Sequence, residues 1–440
     1  MRVSISASGA AAFDSDEFLI RRIWWRVMPL ILLTYLVAVV DKANVSFAKL
    51  QMVHQIGITE TAYGMASSLF FIGYLIFEVP SALGVHRFGA PKWLSRIILS
   101  WGIATVLLAY TASGSMFAAL RFLVGAAEAG LYPGIIYFFT LWFPRRYQVR
   151  ALGLLTLGSA LGNMLGSAFG GALLSLDGVW NIAGWQWVFL VTGLLAVVLA
   201  PFVLLLLPAK VETATFLTPA QRLQLNRMIA ADAQPPHAEG VLWGALIDRK
   251  VLAFAGGYTL LLTSLYGIIY WLPTVIKAFG VSSALNGALN MIPWALTAVL
   301  LVVIPRRLKQ ESQVRRAAAV IGIAGCVFFL VSIVVESPTA QFIAIVLGTP
   351  CTSLLLPCFW SLPSKYFSGR RAAASLAVIS SYGNFGGFLS QNLMPWIGKL
   401  FGHPAYAMVL PAFCLLLLGC IALFMQTGTA QPTASRPVVS

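Results

Sequence analysis

Five ionisable side chains lie inside long apolar stretches, where charge is hardest to place: Asp41, Lys42, Glu78, Arg121 and Glu128. A charge in a spanning helix costs on the order of 2.5 to 3.5 kcal/mol on insertion scales, so such residues face a cavity or one another. Arg121 and Glu128 are two helical turns apart and project from nearly the same face, about 10 Å apart along the axis. Asp41 and Lys42 belong to a span of opposite direction and are expected level with Arg121, with Glu128 nearer the midplane. Asp41 is thereby placed to pair with Arg121. Two fixed cations favour an anionic ligand, and Arg121 offers the planar fork that grips a carboxylate through two bonds. The carboxylates of Asp41 and Glu128 suggest a proton as the driving ion, since burial and a neighbouring Arg pull on such a proton in opposite senses. Charges of this kind can also staple helices together, but neutral hydrogen bonds do so at lower cost. Glu78, beside Pro80 and a basic loop, fits a structural or gating role better than ligand contact.

The second half of the chain offers neutral groups instead: Tyr266, Tyr270 and Trp271, then Trp360 and Ser361, then Tyr382 and Asn384. These side chains can hydrogen-bond hydroxyls or stack on a ring. Trp271 and Tyr382 read as part of an aromatic belt at the membrane interface. The glycine run at 383–387 reads as a close-packing surface between helices.

The elements that must position these groups follow from composition. Of 440 residues, 59% are hydrophobic and 10% charged, against roughly a quarter charged in soluble domains, and the mean hydropathy is +0.85. A span takes about 20 apolar residues, and the runs are unbroken rather than alternating, which selects helices over a closed barrel. Twelve spans are expected at 28–47, 62–83, 93–110, 115–139, 150–173, 185–207, 251–275, 285–304, 317–335, 340–361, 371–395 and 404–425. The expected organisation is an N-terminal segment (1–27), a six-helix bundle (28–207), a polar linker (208–249), a second six-helix bundle (250–426) and a disordered tail (427–440). Short echoes support a duplication. Arg150-Ala-Leu followed by Gly162-Asn163 recurs at the same spacing as Arg371-Ala-Ala and Gly383-Asn384. The fold class is thus an all-α polytopic membrane protein of two pseudo-symmetric bundles.

A net charge of +15 would suit a nucleic-acid binder, but its distribution excludes that class. Most Lys and Arg fall in alternate loops, among them Arg87, Lys92 and Arg96; Arg145, Arg146 and Arg150; Arg306, Arg307, Lys309, Arg315 and Arg316; and Lys365, Arg370 and Arg371. Lys49, Lys277 and Lys399 fall on the other side. This positive-inside pattern puts both termini in the cytoplasm. The five cysteines, all in apolar runs of the second half, read as small hydrophobes, with no disulfide and no metal site. The first apolar run is too long for a cleaved signal peptide.

Several motifs resemble the anion:cation symporter family of the major facilitator superfamily, nearest the branch of tartrate, phthalate and hydroxyphenylacetate permeases. They are Asp41-Lys42-Ala43-Asn44-Val45-Ser46-Phe47-Ala48, FFIGYLIFEVPS (70–81), HRFGAPKW (86–93), RFLVGAAEAGLYPG (121–134), WFPRRYQVRA (142–151), GWQWVFL (184–190) and YGNFGGF (382–388). The resemblance implies a central cavity, alternating access and proton symport of organic anions. It implies protonation sites at Asp41 and Glu128, a cavity arginine at Arg121, and cavity-lining polar groups at Tyr74, Asn163 and Asn384. Lys42 departs from the family's usual Arg, and His86 stands where the wider superfamily has Asp.

The reading is proton-coupled uptake, across the inner membrane, of a small carboxylate such as a hydroxy-dicarboxylate, sugar acid or aromatic acid. Proton coupling falls to Asp41 and Glu128. Substrate contact falls to Lys42, Arg121, Tyr74, Asn163, Trp360, Ser361 and Asn384. The coupling ion is the only cofactor expected, the lipid bilayer the only other partner, and the monomer the working unit. No catalytic cluster points to an enzyme. A membrane-bound sensor of the same anion and an exchanger not coupled to protons are the alternatives.

Overall fold

A computed structural model describes residues 7–232, 244, 246–308, 310–361, 367 and 369–424. The expected tail at 427–440 lies outside them, as do Lys309 and Lys365. Among the described residues there is no strand. In lipid the backbone must satisfy its own hydrogen bonds, and long helices do so residue by residue.

The first half comprises α1 (Ala7–Gln55), α2 (Glu60–Phe88), α3 (Ala90–Leu108), α4 (Gly114–Glu128), α5 (Leu131–Trp142), α6 (Arg145–Leu174) and α7 (Gly184–Leu206). A short, mostly polar α8 (Pro219–Ala231) follows. The second half comprises α9 (Arg249–Lys277), α10 (Ser283–Arg307), α11 (Glu311–Val334), α12 (Pro338–Trp360), α13 (Gly369–Leu400) and α14 (Val409–Phe424). Helix starts coincide with side-chain caps, Thr59 for α2, Ser113 for α4, Thr218 for α8, Asp248 for α9 and Ser282 for α10, each satisfying a backbone N–H that the first turn leaves open.

Ten segments are long and apolar enough to cross a membrane. With α3, which runs along α7, and α13, which runs along α9, they make the twelve expected spans. One expected span differs. The fourth, read as continuous over 115–139, is two helices, α4 and α5, broken where Ala129 leaves helical geometry and Gly130 takes φ +86°. A Cβ at Gly130 would strike the Ser81 side chain, so glycine serves both backbone and neighbour there. Glu128 is the last residue before this break.

The packing pattern shows the internal two-fold. Across the interface between halves, α2 (span two) packs on α13 (span eleven) and α6 (span five) packs on α10 (span eight), while α1 meets α9. Exchanging the halves converts the first pair into the second and maps the third onto itself.

The two ends of the interface differ. Away from the basic loops, a single apolar core runs through both halves, joining Phe47, Tyr63, Phe70 and Phe71 to Leu261, Tyr270, Trp271 and Trp294. A Cβ added at Gly171 would lie 2.6 Å from the Cα of Gly287, and one at Gly64 would strike the Gln391 carbonyl. At the basic end the cores are separate, a large one under the first half and a small one of Val251, Ala255, Phe367, Val378 and Ile379 under the second. Part of the expected linker belongs to the first-half core. Val211, Ala214, Leu217 and Leu225 are buried in it, and Arg222 donates to the carbonyls of Ala214 and Glu212. The molecule is therefore closed at the end away from the basic loops.

Candidate functional site

Within this frame α1, α2, α4 and α9 converge on one group of charges and rings. Lys42 Nζ lies 2.8 Å from Glu128 Oε1, with Glu128 1% exposed and Lys42 25% exposed. Apart from this ion pair, the Glu128 oxygens have no hydrogen-bond donor among the described residues. The Lys42 ammonium also lies 5.5 Å from the Tyr74 ring and 5.8 Å from the Phe70 ring, within range of cation–π attraction.

Asp41 is placed otherwise than expected. Its carboxylate does not pair with Arg121. It accepts hydrogen bonds from Asn44 Nδ2 at 3.0 Å and Thr105 Oγ1 at 3.1 Å, and Asn44 donates in turn to Thr192 Oγ1 at 2.8 Å. Consecutive residues of a helix point about 100° apart, so Lys42 can face the interface only if Asp41 turns into the first bundle. The result ties α1 to α3 and α7 with neutral donors. The expected depths change with it, because the Lys42 ammonium stands level with Glu128 rather than with Arg121.

Arg121 is 2% exposed, its guanidinium carbon 4.8 Å from the Phe70 ring. Its Nε and Nη2 groups are buried and have no hydrogen-bond partner among the described residues, nor does any described carboxylate pair with it. Tyr270 approaches it from the second half. A buried guanidinium with idle N–H groups is expensive unless an anion completes it.

Rings from both halves enclose these charges. Phe70 contacts Phe71 at 5.2 Å and Tyr74 at 6.0 Å; Phe71 contacts Tyr266 at 4.9 Å and Tyr270 at 6.1 Å; and Tyr266 stacks on Tyr270 at 5.9 Å. Phe70 and Phe71 were not singled out from the sequence, where they look like ordinary span residues. Only the neighbouring charges reveal them.

The remaining expected contacts divide. Tyr74 joins the site beside Lys42. Asn163 is buried, and its amide donates to the Ser159 carbonyl one turn back at 2.9 Å. Asn384 is half-buried on α13, one turn before Phe388. Trp360 packs against Tyr258 at 4.9 Å, and Ser361 donates to the Cys358 carbonyl at 2.7 Å. Tyr258 is eight residues before Tyr266, about 12 Å nearer the basic end, so this pair lies apart from the charged group. Glu78, one turn past Tyr74, faces Ser381 of the second half.

Two expectations fail at the opposite end. Trp271 is 3% exposed and lies between the halves, not in an interfacial belt. Lys49, assigned to a loop, is inside α1 and 2% exposed; it pairs with Glu60, donates to Thr274 Oγ1 at 3.1 Å and lies 3.2 Å from the Trp271 ring centre. The available signal was the pairing of a Lys at the end of one span with a Glu at the start of the next.

Comparison with known proteins gives the family. The model of the Major Facilitator Superfamily matches residues 31–391. The chain is 37% identical over 382 residues to a quinolone resistance transporter of Acinetobacter baumannii, covering 86% of this chain and 87% of the relative. It is 33% identical over 432 residues to a putative tartrate transporter of Agrobacterium vitis, covering 97% and 96%, in keeping with the permease branch the motifs resemble. Among solved structures, a D-xylose–proton symporter matches with TM-score 0.70 at 15% identity, covering 90% of this chain and 97% of that one. An inward-facing, occupied bacterial homologue of the human lysosomal transporter Spinster matches with TM-score 0.66 at 17% identity, covering 90% and 95%. The chain belongs to the Major Facilitator Superfamily and is a multi-pass membrane transporter, not an enzyme.

Proposed function

We propose that this transporter takes up a small organic anion together with protons by alternating access, with ring-bearing carboxylates its preferred class. The observation that carries this reading is Arg121, buried with two idle N–H groups among Phe70, Phe71, Tyr74, Tyr266 and Tyr270. A carboxylate supplies the missing acceptors, and its ring finds aromatic faces. The side-chain nitrogens of Asn44 and Asn163 are engaged inside the first bundle and are not offered to the hydroxyls of a polyhydroxy acid. The tartrate transporters among the relatives represent the competing hydroxy-acid class.

Coupling follows from competition for Lys42. One ammonium cannot neutralise both Glu128 and an arriving carboxylate at close range. Protonation of Glu128 releases Lys42 to the substrate, so proton and anion load together and leave together. Asp41, with two neutral donors, holds α1 in register for this exchange and is the second candidate for a proton. The working unit is a monomer in the inner membrane with both termini in the cytoplasm, requiring no cofactor beyond the coupling ion. In this reading the basic loops face the cytoplasm and the closed end faces outward.

Proteoliposomes test the reading. Uptake of a labelled aromatic acid should accumulate uphill under an inward proton gradient and stop when pH gradient and membrane potential are both collapsed. Uphill uptake that survives their collapse would refute coupling. The quinolone resistance transporter among the relatives favours a second reading, proton-driven export of aromatic compounds; net efflux under the same gradient would select it.

A further inference from the structure

Away from the basic loops, a cavity of about 480 Å³ opens between the start of α2, the end of α9 and the end of α13. Its wall includes Glu60, Trp271, Thr274, Lys399 and His403. Behind Glu60 stands Lys49, whose Glu60, Trp271 and Thr274 contacts are all groups of this wall. Trp271 is nine-tenths or more buried, and its Nε1–H has no acceptor among the described residues. None of these groups serves the central site.

The imbalance of the ion pair is informative. Lys49 is 2% exposed, whereas its partner Glu60 is 49% exposed. A buried ammonium needs an anion beside it, but which carboxylate supplies the charge matters little, and a half-solvated Glu60 can return to water at small cost. Lys49 also lies two helical turns, about 10 Å, from Lys42 on the same face of α1. The mostly apolar wall of the cavity and Lys399 on it favour an anion with an apolar body.

We infer that this outer cavity is a second carboxylate-binding site, in which the anion replaces Glu60 at Lys49 on its way to the central site. The inference rests on the organic-anion reading of that central site. Binding here also removes Glu60 from the lysine that joins α1 to Trp271 and Thr274 of the other half.

Equilibrium dialysis of labelled benzoate against the purified full-length protein tests it. Wild type should bind at two sites, the outer at least about tenfold weaker. Arg121→Gln should retain the weak site alone, Lys49→Gln the tight site alone, and the double variant neither. Glu60→Gln should tighten the weak site several-fold, a gain that misfolding does not produce. Loss of all saturable binding in Arg121→Gln, with Glu60→Gln unchanged from wild type, would overturn the outer site and leave the central reading standing. Full tight binding in Arg121→Gln would instead overturn the central reading.

Discussion

The two halves share a helix pattern but divide the chemistry unequally. The first half carries Asp41, Lys42, Glu78, Arg121 and Glu128 within its spans, while the second turns Tyr258, Tyr266, Tyr270 and Trp360 towards the interface. Symmetry supplies the hinge, since two equivalent helix pairs, α2 with α13 and α6 with α10, line the seam. Asymmetry supplies the function. On the proposed mechanism, the Lys42–Glu128 ion pair, confined to one half, would keep its geometry as the halves rock, and the partner half could slide past without breaking it. At the closed end Lys49 reaches across to Trp271 and Thr274, where a latch is needed.

The largest expected effect comes from removing the proposed proton carrier of the first half. Glu128→Gln keeps the shape and loses the proton, so accumulation driven by a proton gradient should be abolished while substrate exchange between equal pools persists. Unchanged uphill uptake would take Glu128 out of the mechanism. Next is the fixed cation. Arg121→Gln should weaken anion binding by at least about tenfold, roughly 1.4 kcal/mol, since charge-assisted hydrogen bonds contribute about 1.5 to 3 kcal/mol each. Arg121→Lys should recover part of this by keeping charge without the fork. Calorimetry on both variants separates electrostatics from geometry.

A third change attacks the symmetric seam instead of the charges. A side chain at Gly287 would lie 2.7 Å from the Ser167 carbonyl and 2.8 Å from the Gly171 Cα. Gly287→Val should therefore hold the outer end open and cut turnover by about tenfold while benzoate still binds. The rate constants for exchange and the dissociation constant report the two quantities separately. In the neutral half, Tyr266→Leu should weaken an aromatic acid by about 0.5 to 1.5 kcal/mol, the usual worth of a ring pair beyond its area, and leave tartrate binding unaltered. Equal loss for both would place the ring contact elsewhere. The smallest effect is expected from Lys42→Arg. It keeps the Glu128 pair and adds a fork, so uptake should stay within about twofold of wild type.

Much of this was legible in the sequence because membranes punish misplaced charge. Arg121 and Glu128 stood out by being in apolar runs at helical spacing, and the structure puts both at the interface between the halves. Asp41 stood out equally, but its partners did not. Thr105 and Thr192 are common span residues whose hydroxyls usually bond their own helix, and nothing in the chain marks them as neighbours of Asp41. The break after Glu128 was visible as Gly130 and Pro133, yet hydropathy averages over it. Lys49 was missed because a charge near a span end normally snorkels to the interface; only the closure of the two halves buries it. Side-chain type is local and can be read along the chain, whereas choice of partner depends on how twelve helices are stacked.

Coupled movement of proton and anion through Lys42 and Glu128, as proposed, has a direct test. The direct measurement is proton flux in proteoliposomes that contain a pH-sensitive dye and carry no imposed pH gradient. Adding benzoate outside to wild-type vesicles, with the membrane potential clamped, should acidify the lumen in step with labelled benzoate entry. Vesicles with Glu128→Gln should show benzoate exchange without acidification. Benzoate entry in wild type with no carrier-dependent change in lumenal pH would contradict the account.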